Sequence, residues 1–193
     1  PIDEKHPAVG QSPYAATKVG ADQLALSYYR SFELPVWIAR PFNTYGPRQS
    51  ARAFIPSVIA QLLAGRTIRV GNLATTRDLT FVKDTATGFW AICMADSLVG
   101  TATNIGANAE IGMGDLLRKI AEIVGAPSRL EVEIDNLRLR PNNSEVERLC
   151  CDNTRITQCT DWRPAHTLNM GITETIEWMR EHIDAYKPEI YNI

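Results

Sequence analysis

Residues 12–41 read SPYAATKVGADQLALSYYRSFELPVWIARP. Ser12 is a natural N-cap, and Pro13 suits the first helical position, where its missing N–H is not needed. The stretch therefore predicts a helix from Ser12–Pro13 to about Phe32. Pro35 prevents its continuation. The apolar run Val36-Trp37-Ile38-Ala39 follows. It is short, does not alternate and is bounded by turn signals, so it predicts a strand buried on both faces. Arg40 to Pro47 holds two prolines and a glycine and predicts a loop.

The same alternation continues outward along the chain. A helix is predicted over Ala53–Ala64, closed by Gly65. Thr67–Val70 and Arg77–Val82 are predicted strands. Asp84 is read as the N-cap of a helix running to about Ala95. Thr101–Ile105 predicts a strand. Leu116–Val124 places Leu117, Ile120, Ala121 and Val124 on one stripe, with Gly125 as the stop. Leu130–Ile134 predicts a strand and Arg138–Ser144 a polar loop. A short helix is expected after Asp152. A longer one is expected over Leu168–Tyr186, with Ile172, Ile176, Met179 and Ile183 at helical spacing. Helices alternating with strands define an α/β fold. The domain boundary is expected in the loop after Pro47.

The 193 residues are 45% hydrophobic and 22% charged, with a formal net charge of −2. That balance offers no bulk electrostatic attraction to nucleic acid or to an anionic membrane, so any anion must be met by individually placed arginines. No apolar run reaches the length of a membrane span. The N-terminus is polar, lacks an initiator Met and reads as the middle of a longer protein rather than as a signal peptide. Cys93, Cys150, Cys151 and Cys159 form no CxxC pair and have no neighbouring His. Reduced thiols in a cytoplasmic protein, with no metal, are the expectation.

Tyr14 and Lys18 are four positions apart and share a helix face. A phenol, with a pKa of about 10, is a poor base at neutral pH. A neighbouring ammonium favours the phenolate, so the pair can take a proton from a hydroxyl. The spacing alone is weak evidence. Asn43 follows a strand's C-terminal end, where open α/β sheets bind ligands; the plainer reading is a turn cap. Arg77 and Arg140 suit a diphosphate, because a guanidinium is permanently charged and binds in bidentate fashion. Their plainer reading is a surface ion pair, with Asp78 or Glu145. His6, His166 and His182 have no partner nearby in sequence and are read as structural or surface residues.

Context strengthens the Tyr/Lys pair. Ser12 to Lys18, followed by Ala21-Asp22-Gln23, resembles the active-site helix of extended short-chain dehydrogenases/reductases. Within these it resembles the NAD-dependent nucleotide-sugar epimerase/4,6-dehydratase family. The resemblance continues in order through Arg40-Pro41-Phe42-Asn43-Thr44-Tyr45-Gly46-Pro47-Arg48, then Phe54-Ile55-Pro56. It extends through Arg77-Asp78-Leu79-Thr80-Phe81-Val82-Lys83-Asp84 and through Arg138-Leu139-Arg140-Pro141 with Ser144-Glu145-Val146. It implies the C-terminal part of a Rossmann-like enzyme with a smaller α/β substrate domain. Residues 1–48 would be a remnant of the dinucleotide-binding domain. Residues 49–193 would be mainly the substrate domain, with 77–106 packing back on the sheet.

It also implies Tyr14 and Lys18 as catalytic residues. Tyr14, Lys18, Pro41 and Phe42 would contact NAD, and Asn43, Arg77 and Arg140 a nucleotide-diphosphate sugar. The implied reaction is 4,6-dehydration: oxidation at C4, loss of water across C5–C6 and hydride return to C6. The motifs look closest to enzymes acting on GDP- or UDP-linked N-acetylated hexosamines. The alternatives are a 4-epimerase and a non-catalytic binding or interaction module. A homodimer or other self-association is expected.

The sequence also departs from the family. No GxxGxxG or GxGxxG turn occurs, nor does the Ser or Thr with the acidic pair that decides between dehydratase and epimerase. The chain by itself is therefore expected to be catalytically inert. Cys159-Thr160-Asp161-Trp162 replaces the usual Leu-Gly-Trp, and Gly112 stands where an N-capping Ser is common.

Overall fold

Residue spacing sets the elements, and burial decides how they stack. The computed structural model describes residues 1–127, 130–139 and 145–186. Helix α1 spans Pro13–Phe32, with the Ser12 hydroxyl accepting from the Ala15 N–H. Strand β1 (Ile38–Pro41) follows, then β2 (Asn43–Tyr45), α2 (Phe54–Leu63), β3 (Ile68–Val70) and β4 (Thr76–Phe81). Next come α3 (Val82–Cys93), β5 (Ala102–Ile105), β6 (Glu110–Gly112) and α4 (Met113–Val124). The described chain ends with β7 (Val132–Ile134), β8 (Arg148–Leu149), α5 (Thr154–Cys159) and α6 (Leu168–Glu181). Short 3-10 turns cover Asp96–Leu98, Asn136–Arg138 and Ile183–Ala185.

The strands form three small sheets. β1 pairs in parallel with β5, Ile38 opposite Ala102. β4 is the centre of the second sheet: β2 and β8 run parallel to it, and β6 antiparallel. β3 pairs in parallel with β7, Ile68 opposite Val132. Crossovers between parallel strands need helices, and α2, α3 and α4 provide them.

The larger core gathers where α2, α4 and α6 converge on β2 and β4. Val58, Ile59, Leu116, Ile120, Ile172 and Met179 are fully buried there, beside Tyr45 and Phe81. Two glycines fit this packing. Gly125 closes α4 at φ +80, a left-handed conformation that glycine adopts without strain. Gly171 lets α6 approach β2 so closely that a Cβ there would lie 2.2 Å from the Tyr45 hydroxyl. A smaller core holds Ile92, Leu98, Ile105, Ile156 and Trp162 between α3, β5 and α5. Trp162, from the Cys-Thr-Asp-Trp departure, keeps its packing role and donates to the Asp84 carbonyl.

Several expectations need correction. β1 begins at Ile38, two residues later than predicted. Only Ile38 of it is buried, and it pairs with a single strand, β5, among the described residues. β2 lies inside the predicted loop; three residues paired to β4 carry too short a pattern to detect. α3 is capped by Phe81 rather than Asp84, which sits in the first turn with its carboxylate buried. α4 starts at Met113, with Gly112 as an N-cap that has no side chain to offer. The last helix stops at Glu181, short of Tyr186.

Candidate functional site

The second sheet opens on one side into a cavity of about 630 Å³. Asn43 and Tyr45 of β2, and Arg77 and Leu79 of β4, form its floor. The β2–β4 register places Asn43 beside Leu79. The start of α2 forms one wall through Arg52, Phe54 and Ser57. Val70 at the end of β3 and Gly71 after it, with Leu137 and Arg138, form the far end. There the backbones approach closely: a Cβ on Gly71 would lie 2.6 Å from the Arg138 carbonyl oxygen.

Asn43 is exposed on this cavity as a strand residue rather than a turn cap. The segment behind it is fixed by side chains. The Thr44 and Thr85 hydroxyls are 3.0 Å apart, and Gln49 Nε2 donates to the Thr44 carbonyl. Tyr45 donates to the Leu168 carbonyl and Tyr186 to that of Gln49. The start of α6 thus holds the end of β2, and Tyr186, beyond the end of α6, holds the loop that follows β2. Gly46, at φ +154, passes against Val82, where a Cβ would lie 2.5 Å from Val82 Cγ1.

Arg77 is part-buried on the cavity floor. Its Nη1 donates to the Thr76 and Val146 carbonyls at 2.7 and 2.8 Å, and its Nη2 pairs with Glu145 at 3.2 Å. Asp78 points the opposite way. It is fully buried and accepts from the Ala107 and Cys151 N–H groups. Burial pushes its carboxyl above the ordinary range, and these backbone donors offset only part of that rise. Arg138 pairs with Asp135 at 3.2 Å and donates to the Ser57 hydroxyl at 3.1 Å. Arg140 lies outside the described residues.

Tyr14 and Lys18 share a face of α1, with Lys18 Nζ 5.4 Å from the Tyr14 ring centroid. Both are exposed, Tyr14 by 71%. Neither lines the cavity, and nor do Pro41 and Phe42, which continue from β1. The Phe42 N–H donates to the Ile105 carbonyl. Among the described residues, the expected site residues therefore fall into three groups: Asn43 and Arg77 in the cavity, Pro41 and Phe42 at the end of β1, and Tyr14 and Lys18 on an open helix.

Asp84 and His166 form a pair that local sequence cannot show. Asp84 Oδ1 accepts from the Ala165 N–H and faces His166 Nδ1 at 2.7 Å, while Oδ2 accepts from the His166 N–H. The imidazole also leans on Phe81, 4.8 Å between centroids. The reading of Asp84 as a cap gives way to an anchor for the segment entering α6. Gln49, Arg52 and Arg138 also line the cavity and were not singled out from sequence. Arg138 stands inside a quoted motif and Gln49 and Arg52 lie close to others, but only tertiary packing brings the three together. Among the described residues, no group of three or more His, Cys, Asp or Glu side chains could hold a metal, and no helix is long and apolar enough to cross a membrane.

A helix-walled cavity with arginines on a small mixed sheet, and a Tyr/Lys helix outside it, define an α/β protein with a candidate anion-binding site. The sequence profile of the GDP-mannose 4,6-dehydratase family matches residues 1–175, and the chain belongs to that family of NAD-dependent nucleotide-sugar epimerases and dehydratases. It is 33% identical over 179 residues to a dTDP-glucose 4,6-dehydratase from Actinoplanes sp., covering 92% of this chain and 54% of that protein. It is 34% identical over 185 residues to a UDP-glucose 4-epimerase from Mycolicibacterium smegmatis, covering 93% and 56%. The fold matches the crystal structure of dTDP-glucose 4,6-dehydratase from Bacillus anthracis in complex with NAD, with a TM-score of 0.87 and 27% identity. That match covers 97% of this chain and 58% of the other. The chain thus spans little more than half the length of the proteins it matches.

Proposed function

We propose that the cavity on the β2–β4 sheet binds a nucleotide-diphosphate sugar, and that the chain serves a 4,6-dehydratase. The observation that carries this reading is the cavity itself. Asn43 and arginines meet there beside parallel strand ends, in a volume suited to a small polar ligand. The dTDP-glucose 4,6-dehydratase at 33% identity supports dehydration, and the UDP-glucose 4-epimerase at 34% keeps 4-epimerisation as the second reading. In both, Tyr14 would take the proton from the sugar hydroxyl being oxidised, with the Lys18 charge favouring the phenolate.

NAD, the family cofactor, finds only part of a site in these residues. Tyr14, Lys18, Pro41 and Phe42 are proposed to face its nicotinamide end. These 193 residues contain no glycine turn to bring backbone N–H groups onto the pyrophosphate. The proposed division is therefore substrate binding by this chain and no hydride transfer by it alone. Self-association through the open α1 face belongs to the same proposal.

Calorimetry with UDP, GDP and dTDP, with their sugars and with NAD+ tests this division. Saturable binding of at least one nucleoside diphosphate is expected, without tight NAD+ binding and without turnover of a nucleotide sugar. Turnover by the chain alone would contradict the division. No nucleoside diphosphate binding would contradict the cavity reading.

A further inference from the structure

A second cleft, of about 280 Å³, lies between the loop after β5 and the entry to α6. Only Leu79 lines both this cleft and the larger cavity. Its wall is mostly apolar, with Leu79, Ala107, Ile111, Pro164 and Leu168 around it. The polar side chains on the wall are Glu110, Thr167 and His166. Two of them are engaged. Both Glu110 oxygens accept from Arg148, and one accepts from Thr76 as well. The Thr167 hydroxyl accepts from the Met170 N–H at the start of α6.

His166 differs. Its Nδ1 faces Asp84 Oδ1 at 2.7 Å. That carboxylate oxygen already accepts from the Ala165 N–H, so the ring supplies the hydrogen and Nδ1 is the donor. In the neutral imidazole Nε2 then keeps only a lone pair, and it has no partner among the described residues. Asp84 is buried behind the ring at 3% exposure, whereas the imidazole is 24% exposed. The edge turned away from Asp84 carries Nε2. Phe81, 4.8 Å away between centroids, fixes the ring further. The cleft therefore holds one oriented, unspent acceptor in an apolar wall.

We infer that this cleft is a ligand site of its own, for an uncharged single-ring alcohol or phenol whose hydroxyl donates to His166 Nε2. Its volume is at the small end for ligand cavities, so it takes one ring rather than a nucleotide. A charged group would lose its water against the apolar wall without gaining a partner. The Asp84 carboxylate behind the ring further opposes an anion at Nε2. The site stands whether or not the larger cavity takes a nucleotide-diphosphate sugar.

The test follows the histidine side-chain nitrogen resonances of the 193-residue chain on titration with phenol. Anisole serves as the same ring without a donor, and benzoate as the charged counterpart. Phenol should shift the His166 Nε2 resonance saturably and leave those of His6 and His182 in place. Anisole should bind about fivefold more weakly, the loss expected for one neutral hydrogen bond, and benzoate more weakly still. His166→Phe keeps a ring against Phe81 and leaves the backbone donors to Asp84 satisfied. It should bind phenol and anisole alike, read from the Ala107 and Ile111 amides. Ala109→Trp, at an exposed position on the wall, should fill the cleft and abolish binding of both, with the His166 Nδ1 resonance unchanged because the Asp84 pair is untouched. The absence of a saturable shift at His166 overturns the site, as does phenol binding that survives Ala109→Trp with that pair intact. Equal affinity of the unsubstituted chain for phenol and anisole, or preference for benzoate, overturns the ligand class.

Discussion

The Asp84 carboxylate accepts two backbone N–H groups and the His166 imidazole while being only 3% exposed. Almost no water can replace it, so its removal strands buried donors. Asp84→Ala is expected to cost on the order of 3 kcal/mol, because two backbone N–H groups lose their acceptor. His166→Ala, which leaves both backbone donors satisfied, should cost less, about 1 kcal/mol. Urea denaturation of the two variants measures the difference, and equal losses would assign the stability to the imidazole contact instead. The contrast also marks what sequence shows at this scale. Ser12 and Pro13 announce α1 because a cap acts within one helical turn. Asp84 meets its partners 81 and 82 positions away, and no local pattern encodes that. The cavity residues divide in the same way. Asn43 and Arg77 stand inside recognisable motifs, whereas Gln49 and Arg52 reach the cavity only through tertiary packing.

Among the elements, length decided legibility. α2, α4 and α6 carry two or more turns of apolar spacing, and a glycine follows the ends of α2 and α4, so their burial follows from the sequence, while the end of α6 does not. β2, β6 and β8 have two or three residues each and exist only through pairing with β4. The clasp across that sheet is electrostatic. Arg148 donates from Nε and Nη2 to Glu110, at 2.6 Å for the shortest bond, and the Thr76 hydroxyl donates at 2.8 Å. β6 and β8 are thereby tied to each other beside the start of β4. The Arg148 hydrogen bonds, and then that of Thr76, hold the Glu110 carboxyl down to about 2 from an ordinary value of 4.5. A carboxyl depressed in the folded state contributes stability above its unfolded value and loses it as the pH falls through the folded one. The clasp should therefore be intact above about pH 5 and weaken progressively toward about pH 2. Glu110→Gln removes the titrating group, so the urea midpoint should fall less between about pH 5 and about pH 3 than in the parent chain. Parallel acid limbs would show that other carboxyls govern this range. Both side chains face solvent, so added salt should reduce the difference.

At the scale of the whole molecule, burial is lopsided. α4 and α6 each bury a full stripe, while the twenty residues of α1 bury none. Tyr14, Leu24 and Phe32 are exposed by 71%, 61% and 72%. α1 is held by the Asp22–Arg40 pair at 2.7 Å and by the Tyr29 ring against Gly100. In proteins most helical stability comes from packing an amphipathic face rather than from propensity. Nearby, β1 pairs with β5 on one edge only, with no second strand beside it among the described residues. An open strand edge next to an exposed apolar helix favours association, because pairing satisfies backbone groups and removes apolar surface together. The chain should therefore self-associate with rising concentration, as read by sedimentation velocity, and Leu24→Glu combined with Phe32→Glu should shift it toward monomer. Hydrogen exchange separates this from general instability. In the double variant α1 amides should exchange rapidly while those of α4 and α6 stay protected, since their core is untouched. A monomer at every concentration, with α1 amides as protected as those of α4, would mean that intramolecular contacts alone stabilise the helix carrying Tyr14 and Lys18. A monomer whose α1 exchanges freely would instead leave that helix without the packing that a catalytic pair requires.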